Sequence, residues 1–145
     1  MLQELGGFIL AGAKGARDVS IMAEMIRAER HYCWVGIYKM KKTEFVFVSG
    51  TGNEKPSCPR FPIAQGLCGA AAETRKIIVV PDVKKDLRYL PAFHSTRSEM
   101  VVPIISQSDK VVGVIVADSA KAKAFTKEDR EVLERVALMM GHEFK

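Results

Sequence analysis

Cys58 and Cys68, two of the three cysteines in a chain of 145 residues, stand ten residues apart within the segment Pro56 to Ala72. Two thiols so placed can do redox chemistry. One attacks an oxidised sulfur as the thiolate and the other closes a disulfide, provided their Cα atoms come within roughly 7 Å. Pro59 and Pro62 keep the first half of the segment extended, because proline fixes φ and donates no amide hydrogen. Gly66-Leu67-Cys68-Gly69, running into Ala70, Ala71 and Ala72, reads as a turn that opens a helix. The first amides of a helix lack intrahelical partners and sit at its positive dipole end, so a carboxylate or phosphate can be held there. A thiol at that point would have its pKa lowered. Glycine, proline and a buried cysteine also make an ordinary loop-to-helix junction, so the segment reads either as the floor of a small-molecule site or as such a junction.

Other residues able to do chemistry are isolated along the chain. Trp34 lies in a strand-like run and is either a core aromatic or pocket lining, and Cys33 beside it reads as inert core. Glu99 precedes an apolar strand and is either a solvated strand end or a ligand carboxylate. Asp118 ends another strand and could cap the following turn or serve a site. His94 reads as an exposed loop histidine with nothing to orient it as a general acid. The three histidines, His31, His94 and His142, stand far apart and the cysteines are single, so no metal site is expected.

The elements that must position these groups follow from the patterning. A length of 145 residues with 48% hydrophobic and 27% charged residues suits one soluble globular domain, 1–145, with an N-terminal helical arm over 1–16. The net charge of +5 is scattered in short lysine groups, so neither nucleic acid nor a membrane is an expected partner. No run of 18 apolar residues occurs, and the first residues make a poor signal peptide. An odd number of cysteines fits free thiols in a reducing cytoplasm.

Asp18 is the expected N-cap of a helix carrying Val19, Met22, Met25 and Ile26 on one side. Strands are expected over 33–38 and 44–49, joined at Lys41-Lys42, then a helix over 67–74 and a short strand over 76–80. Pro81 to Arg97 has no clean period and is a candidate lid. Strands over 100–105 and 111–117 are apolar enough to be buried on both faces. Thr126, with Asp129 three residues on, caps a last helix whose stripe is Val132, Leu133, Val136 and Met140. The order implies an α+β fold with a mostly antiparallel sheet of five to six strands and the helices from both chain ends on one face.

With these pieces placed, the chain resembles a GAF domain, and more narrowly the free methionine-(R)-sulfoxide reductase family. The resemblance rests on WVGIY (Trp34 to Tyr38), KPSCPRFPIAQGLCG (Lys55 to Gly69), SEMVVPI (Ser98 to Ile104), VVGVIVADS (Val111 to Ser119) and the FTKED that opens the last helix. It implies a thiolate attack on the sulfoxide sulfur, departure of methionine, and a sulfenic acid that condenses with a second thiol, reset by a thioredoxin-like reductant. It also implies that Trp34 faces the substrate methyl, Tyr38 lines the pocket, Glu99 and an aspartate pair hold polar groups, and the amides near Leu67, Cys68 and Gly69 take the carboxylate. The family's nucleophilic cysteine precedes the serine of the SE motif by six residues, and here that position is Ala92. The first of its paired aspartates is Val116, leaving Asp118. A cyclic-nucleotide constellation or a bilin-bearing cysteine is not visible, and no cofactor is expected.

The expected function is therefore small-molecule binding without catalysis by a stand-alone domain, the ligand being an amino acid or oxidised sulfur compound beside Cys58 and Cys68. One alternative is a reductase using Cys58 and Cys68. Another is a structural module that forms a homodimer through its terminal helices.

Overall fold

The computed structural model describes residues 15–52, 59–89 and 95–143. Cys58, Ala92, His94 and nearly all of the expected N-terminal arm lie outside these residues. The elements run α1 (Gly15–Arg30), β1 (Trp34–Met40), β2 (Glu44–Gly52), β3 (Arg60–Pro62), α2 (Gly66–Thr74), β4 (Ile78–Val80), a single 3₁₀ turn (Val83–Lys85), β5 (Ser98–Ile105), β6 (Val111–Ser119) and α3 (Lys127–Glu143). The strands form one sheet in the order β3-β2-β1-β6-β5-β4, and every pairing is antiparallel.

Strand alternation divides the molecule in two, since successive side chains leave opposite faces. Val35 and Ile37 of β1, Met100, Val102 and Ile104 of β5, and Ile115 and Ala117 of β6 point to one face. There they meet Val19, Met22 and Ile26 of α1 and Leu133, Val136 and Met140 of α3. The helices from the two chain ends thus share one face, as expected. The other face carries Trp34, Tyr38, Val101, Val114 and Val116 against Leu67, Cys68 and Ala71 of α2. Almost every residue of β5 and β6 is buried, which explains their unbroken apolar character.

Several boundaries differ from the sequence-based expectation. Helix α1 begins at Gly15, so Asp18 sits in its first turn, where a carboxylate suits the dipole, and is not the N-cap. β3 was not expected; it is held by pairing to Glu44–Val46 rather than by its own length. β4 starts at Ile78, two residues later than expected. In the segment Pro81 to Arg97, expected as a lid, the stretch 82–86 is fastened down and residues 90–94 lie outside the described residues. Asp82 caps the 3₁₀ turn through Lys84 N–H (3.1 Å), Val83 N–H donates to the Arg97 carbonyl (2.8 Å), and Val83 is buried in the α2-side core.

Candidate functional site

Trp34, Asp118 and Glu99 fall in one row across the sheet, since Trp34 pairs with Asp118 and Asp118 pairs with Glu99. The next row on the same face is Gly36, Val116 and Val101. The α2-side face therefore presents two carboxyls beside an indole, with an aliphatic floor following.

The indole lies flat because nothing stands under it. A Cβ on Gly36 would fall inside the Trp34 ring, one on Gly50 would come 2.9 Å from Cζ2, and one on Gly52 2.7 Å from Cδ1. Around it, Trp34 stacks on Phe47 (6.1 Å between ring centroids), Tyr38 lies 5.4 Å from Phe47, and Phe61 meets Tyr38 edge-on at 5.2 Å. Phe47 and Phe45 reach this face through a bulge. The register jumps from Ile37 opposite Ser49 to Tyr38 opposite Phe47, leaving Val48 unpaired and packed on the helical side. One extra residue flips the parity, so phenylalanines fill the first half of β2's site face and glycines the second.

Asp118 is 1% exposed, and neither carboxyl oxygen meets a hydrogen-bond donor among the described residues. Burial pushes its pKa up to about 7, partly offset by its interaction with the Glu99 carboxyl. Glu99, half-buried, is raised well above the usual carboxylate range, first by burial, then by Asp118 and by the charge of Asp86. Adjacent in a dry place, both carboxyls are held above the usual carboxylate range. Asp118 also anchors the chain through its carbonyl, which accepts from Cys33 N–H (2.9 Å) and Cys33 Sγ (3.2 Å).

Cys68 is the third residue of α2 and is buried, and its thiol pKa is pushed well up by burial and then by Glu99 and Asp118. This reverses the expectation of a thiolate favoured by the helix start, because desolvation and two carboxyls outweigh one short dipole. Gly69 has a packing reason: a Cβ there would run into the Ile63 carbonyl. Gly66 takes φ of +74° to turn the chain into the helix. The N-cap residue Gln65 makes no side-chain hydrogen bond to the first-turn amides of α2.

Trp34, Tyr38, Leu67, Cys68, Glu99 and Asp118 are thus brought to one face, Gly69 supports α2, and Cys58 lies outside the described residues. Sequence reasoning missed Phe47 and Phe61 and the three glycines under Trp34. For Phe47, Gly50 and Gly52 the signal was alternation in β2, hidden by the bulge. Among the described residues no group of three or more His, Cys, Asp or Glu could hold a metal ion, and no helix is long and apolar enough to cross a membrane.

A model of the GAF domain family matches residues 19–141. The chain belongs to the GAF domain family. Among its relatives is the free methionine-R-sulfoxide reductase of Saccharomyces cerevisiae, 35% identical over 109 residues, a match covering 74% of this chain and 61% of the yeast protein. The chain therefore spans less than two thirds of that relative. The solved type II free methionine-R-sulfoxide reductase of Thermoplasma acidophilum superposes with a TM-score of 0.83 at 31% identity, over 97% of this chain and 96% of that one. The enzyme of Neisseria meningitidis, solved in complex with its substrate, gives 0.89 at 26% identity over 99% and 85%. This GAF domain carries the Glu99 and Asp118 carboxyls on the inner strands β5 and β6, and its indole on the adjoining β1.

Proposed function

We propose that this GAF domain binds a small amino acid or oxidised sulfur compound, such as methionine sulfoxide, over the Trp34–Asp118–Glu99 row, and does not turn it over. The observation that carries this reading is the Glu99 and Asp118 carboxyl pair beside the indole. A carboxyl that keeps its proton can donate to a sulfoxide oxygen, and the indole face suits a polarised methyl. The amides opening α2, with no side-chain cap, suit the ligand's carboxylate.

Absence of turnover follows from the thiols. Ala92 stands where the family resemblance puts the nucleophile, and Val116 replaces one carboxylate. Cys68 is held as the thiol. The domain would act in the cytoplasm as a sensor or subunit, pairing with a second copy through its terminal helices. If it were instead a reductase, Cys58 and Cys68 would supply attacking and resolving thiols, and a thioredoxin-like protein would reset the disulfide.

The test is thermal melting with methionine or methionine-(R)-sulfoxide, beside turnover of the sulfoxide with dithiothreitol. A ligand at about 100 times its Kd raises stability by about 2.7 kcal/mol. A raised Tm without turnover supports the reading. Turnover that disappears in Cys58→Ser or Cys68→Ser would establish the reductase instead. With neither response, the dimerisation module becomes the better account.

A further inference from the structure

A second concavity, a groove of about 820 Å³, lies between α3, the edge of β5 and the turn joining α2 to β4. Its origin is local. Ile78 pairs with Val101, so continuing that register would set Ile77 opposite Val102 and Lys76 opposite Pro103. Pro103 has no amide hydrogen to give, and Arg75, at φ 60°, turns the chain away at this point. Pairing stops, and Val102, Pro103 and Ile105 are left lining the groove with Ile77, Ala137 and Leu138. Leu138 is 65% exposed on the outer face of α3, where it meets the apolar lining of the groove.

The rest of the lining is charged. Arg75, Lys76, Arg130 and Arg135 face Glu131 and Glu134, four cations less two carboxylates, a surplus of two positive charges. No ion pair among the described residues engages Lys76, Arg130 or Arg135. Arg75 is held at the groove by Asp109, through Nη1 to the carbonyl (3.0 Å) and Nη2 to Oδ1 (2.6 Å).

We propose that this groove docks an acidic segment of a partner protein, with an aliphatic side chain against Leu138 and carboxylates on Arg130, Arg135 and Lys76. Charge complementarity selects an acidic occupant. The apolar floor selects a peptide over a bare anion, which would leave Leu138 and Ile77 uncovered. Pro103 blunts the β5 edge against a seventh strand, so side chains rather than a backbone ladder hold the segment. The groove is separate from the Trp34 row yet shares a strand with it: Val102 lines one and Glu99 and Val101 belong to the other. The inference does not rest on the ligand proposed above.

The test uses the full chain and a fluorescein-labelled peptide, Glu-Glu-Leu-Leu-Asp-Glu, followed by fluorescence anisotropy. Binding is expected, weakening with added salt as exposed charge pairs are screened. The double variant Arg130→Glu/Arg135→Glu is expected to weaken it roughly tenfold or more, and Leu138→Ser severalfold. All three positions are exposed, and an unchanged Tm shows that the variants stay folded. No anisotropy change at about 1 mM protein overturns the proposal. So does equal binding of the all-amide peptide Gln-Gln-Leu-Leu-Asn-Gln, or of the acidic peptide to the charge-reversed variant. Tighter binding of sodium triphosphate than of the peptide would make the groove a polyanion site. Self-association by sedimentation that Leu138→Ser abolishes would make the occupant a second copy. Either result overturns the partner segment.

Discussion

The Asp118 carboxyl, dry and without a donor among the described residues, keeps a proton that a surface aspartate loses near its ordinary 3.8. Between that value and about 7, the unfolded chain has released the proton and the native state still holds it. The native state then binds more protons than the unfolded one, so stability falls as pH rises through this window. Glu99, also raised, acts with the same sign. Asp118→Asn is therefore expected to melt higher than the parent at pH 8, by on the order of 3 kcal/mol, and to match it near pH 4. Circular dichroism melts at the two pH values check this, and a difference independent of pH would refute the buried proton. The same proton is what the site offers a ligand, so stability and binding pull against each other here. Cys68, held as the thiol, is expected to alkylate with iodoacetamide at least about tenfold more slowly in the native than in the denatured protein at pH 8. Rapid native alkylation by peptide mass spectrometry would restore it as a candidate nucleophile. Trp34 is the only tryptophan, so its emission reports the site directly. Gly36→Ala is expected to push the indole off the sheet, shift its emission and cost about 2 kcal/mol by overpacking. An unchanged spectrum with normal ligand response would show that the bed is dispensable.

Asp129 gathers the element-scale interactions. Its Oδ1 accepts from Arg30 Nε (3.0 Å) and Tyr32 Oη (2.5 Å), and its Oδ2 from Thr126 N–H (2.7 Å) and hydroxyl (2.8 Å). The Asp129 amide returns a bond to Thr126 Oγ1 (3.3 Å), closing the capping box at the start of α3. Burial raises the Asp129 pKa, but the bonds from Tyr32, Thr126 and Arg30 outweigh it and hold the carboxyl low. A lowered carboxylate stabilises above its unfolded pKa, and the contribution is lost as pH falls through the folded value. Asp129→Ala is expected to cost about 3 kcal/mol at pH 7, through the lost cap and a buried tyrosine hydroxyl deprived of its carboxylate, while Arg30 keeps Glu128 (3.2 Å). Denaturant unfolding at pH 7 measures this, and a loss under about 1 kcal/mol would reduce the cluster to a surface ion pair. The capping box was legible in the sequence because Thr126 and Asp129 are three residues apart. Arg30 and Tyr32, nearly a hundred residues away, have no local signature. The same division runs through the site. Trp34, Glu99 and Asp118 could be named from strand patterns and the family resemblance, whereas Phe47 was hidden by the bulge at Val48. The sign of the Cys68 shift was misjudged because it depends on β5 and β6, not on α2 itself.

At the scale of the whole molecule, one sheet separates two cores with different duties. The α1–α3 side is closed with large, fully buried aliphatics such as Leu133 and Met140, and apolar burial there supplies stability while the buried Tyr32 hydroxyl is paired with Asp129. The α2 side gives up some of that stability to the buried Asp118 carboxyl and to glycines where β1 and β2 could have carried side chains. Packing on the helical side can therefore hold the sheet in place while the other face stays chemically specialised. Leu133→Ala should cost about 3 kcal/mol, as for other buried leucines. Residues on opposite faces that share no partners should contribute independently. The double variant Asp118→Asn/Leu133→Ala is accordingly expected to show the sum of the two single changes at pH 8, with the Trp34 emission of the Leu133 variant unaltered. A coupling larger than about 0.5 kcal/mol in that cycle would mean that the sheet transmits strain between its faces. Additivity would instead mean that a ligand bound on the α2 side reaches the terminal helices only through motion of whole elements.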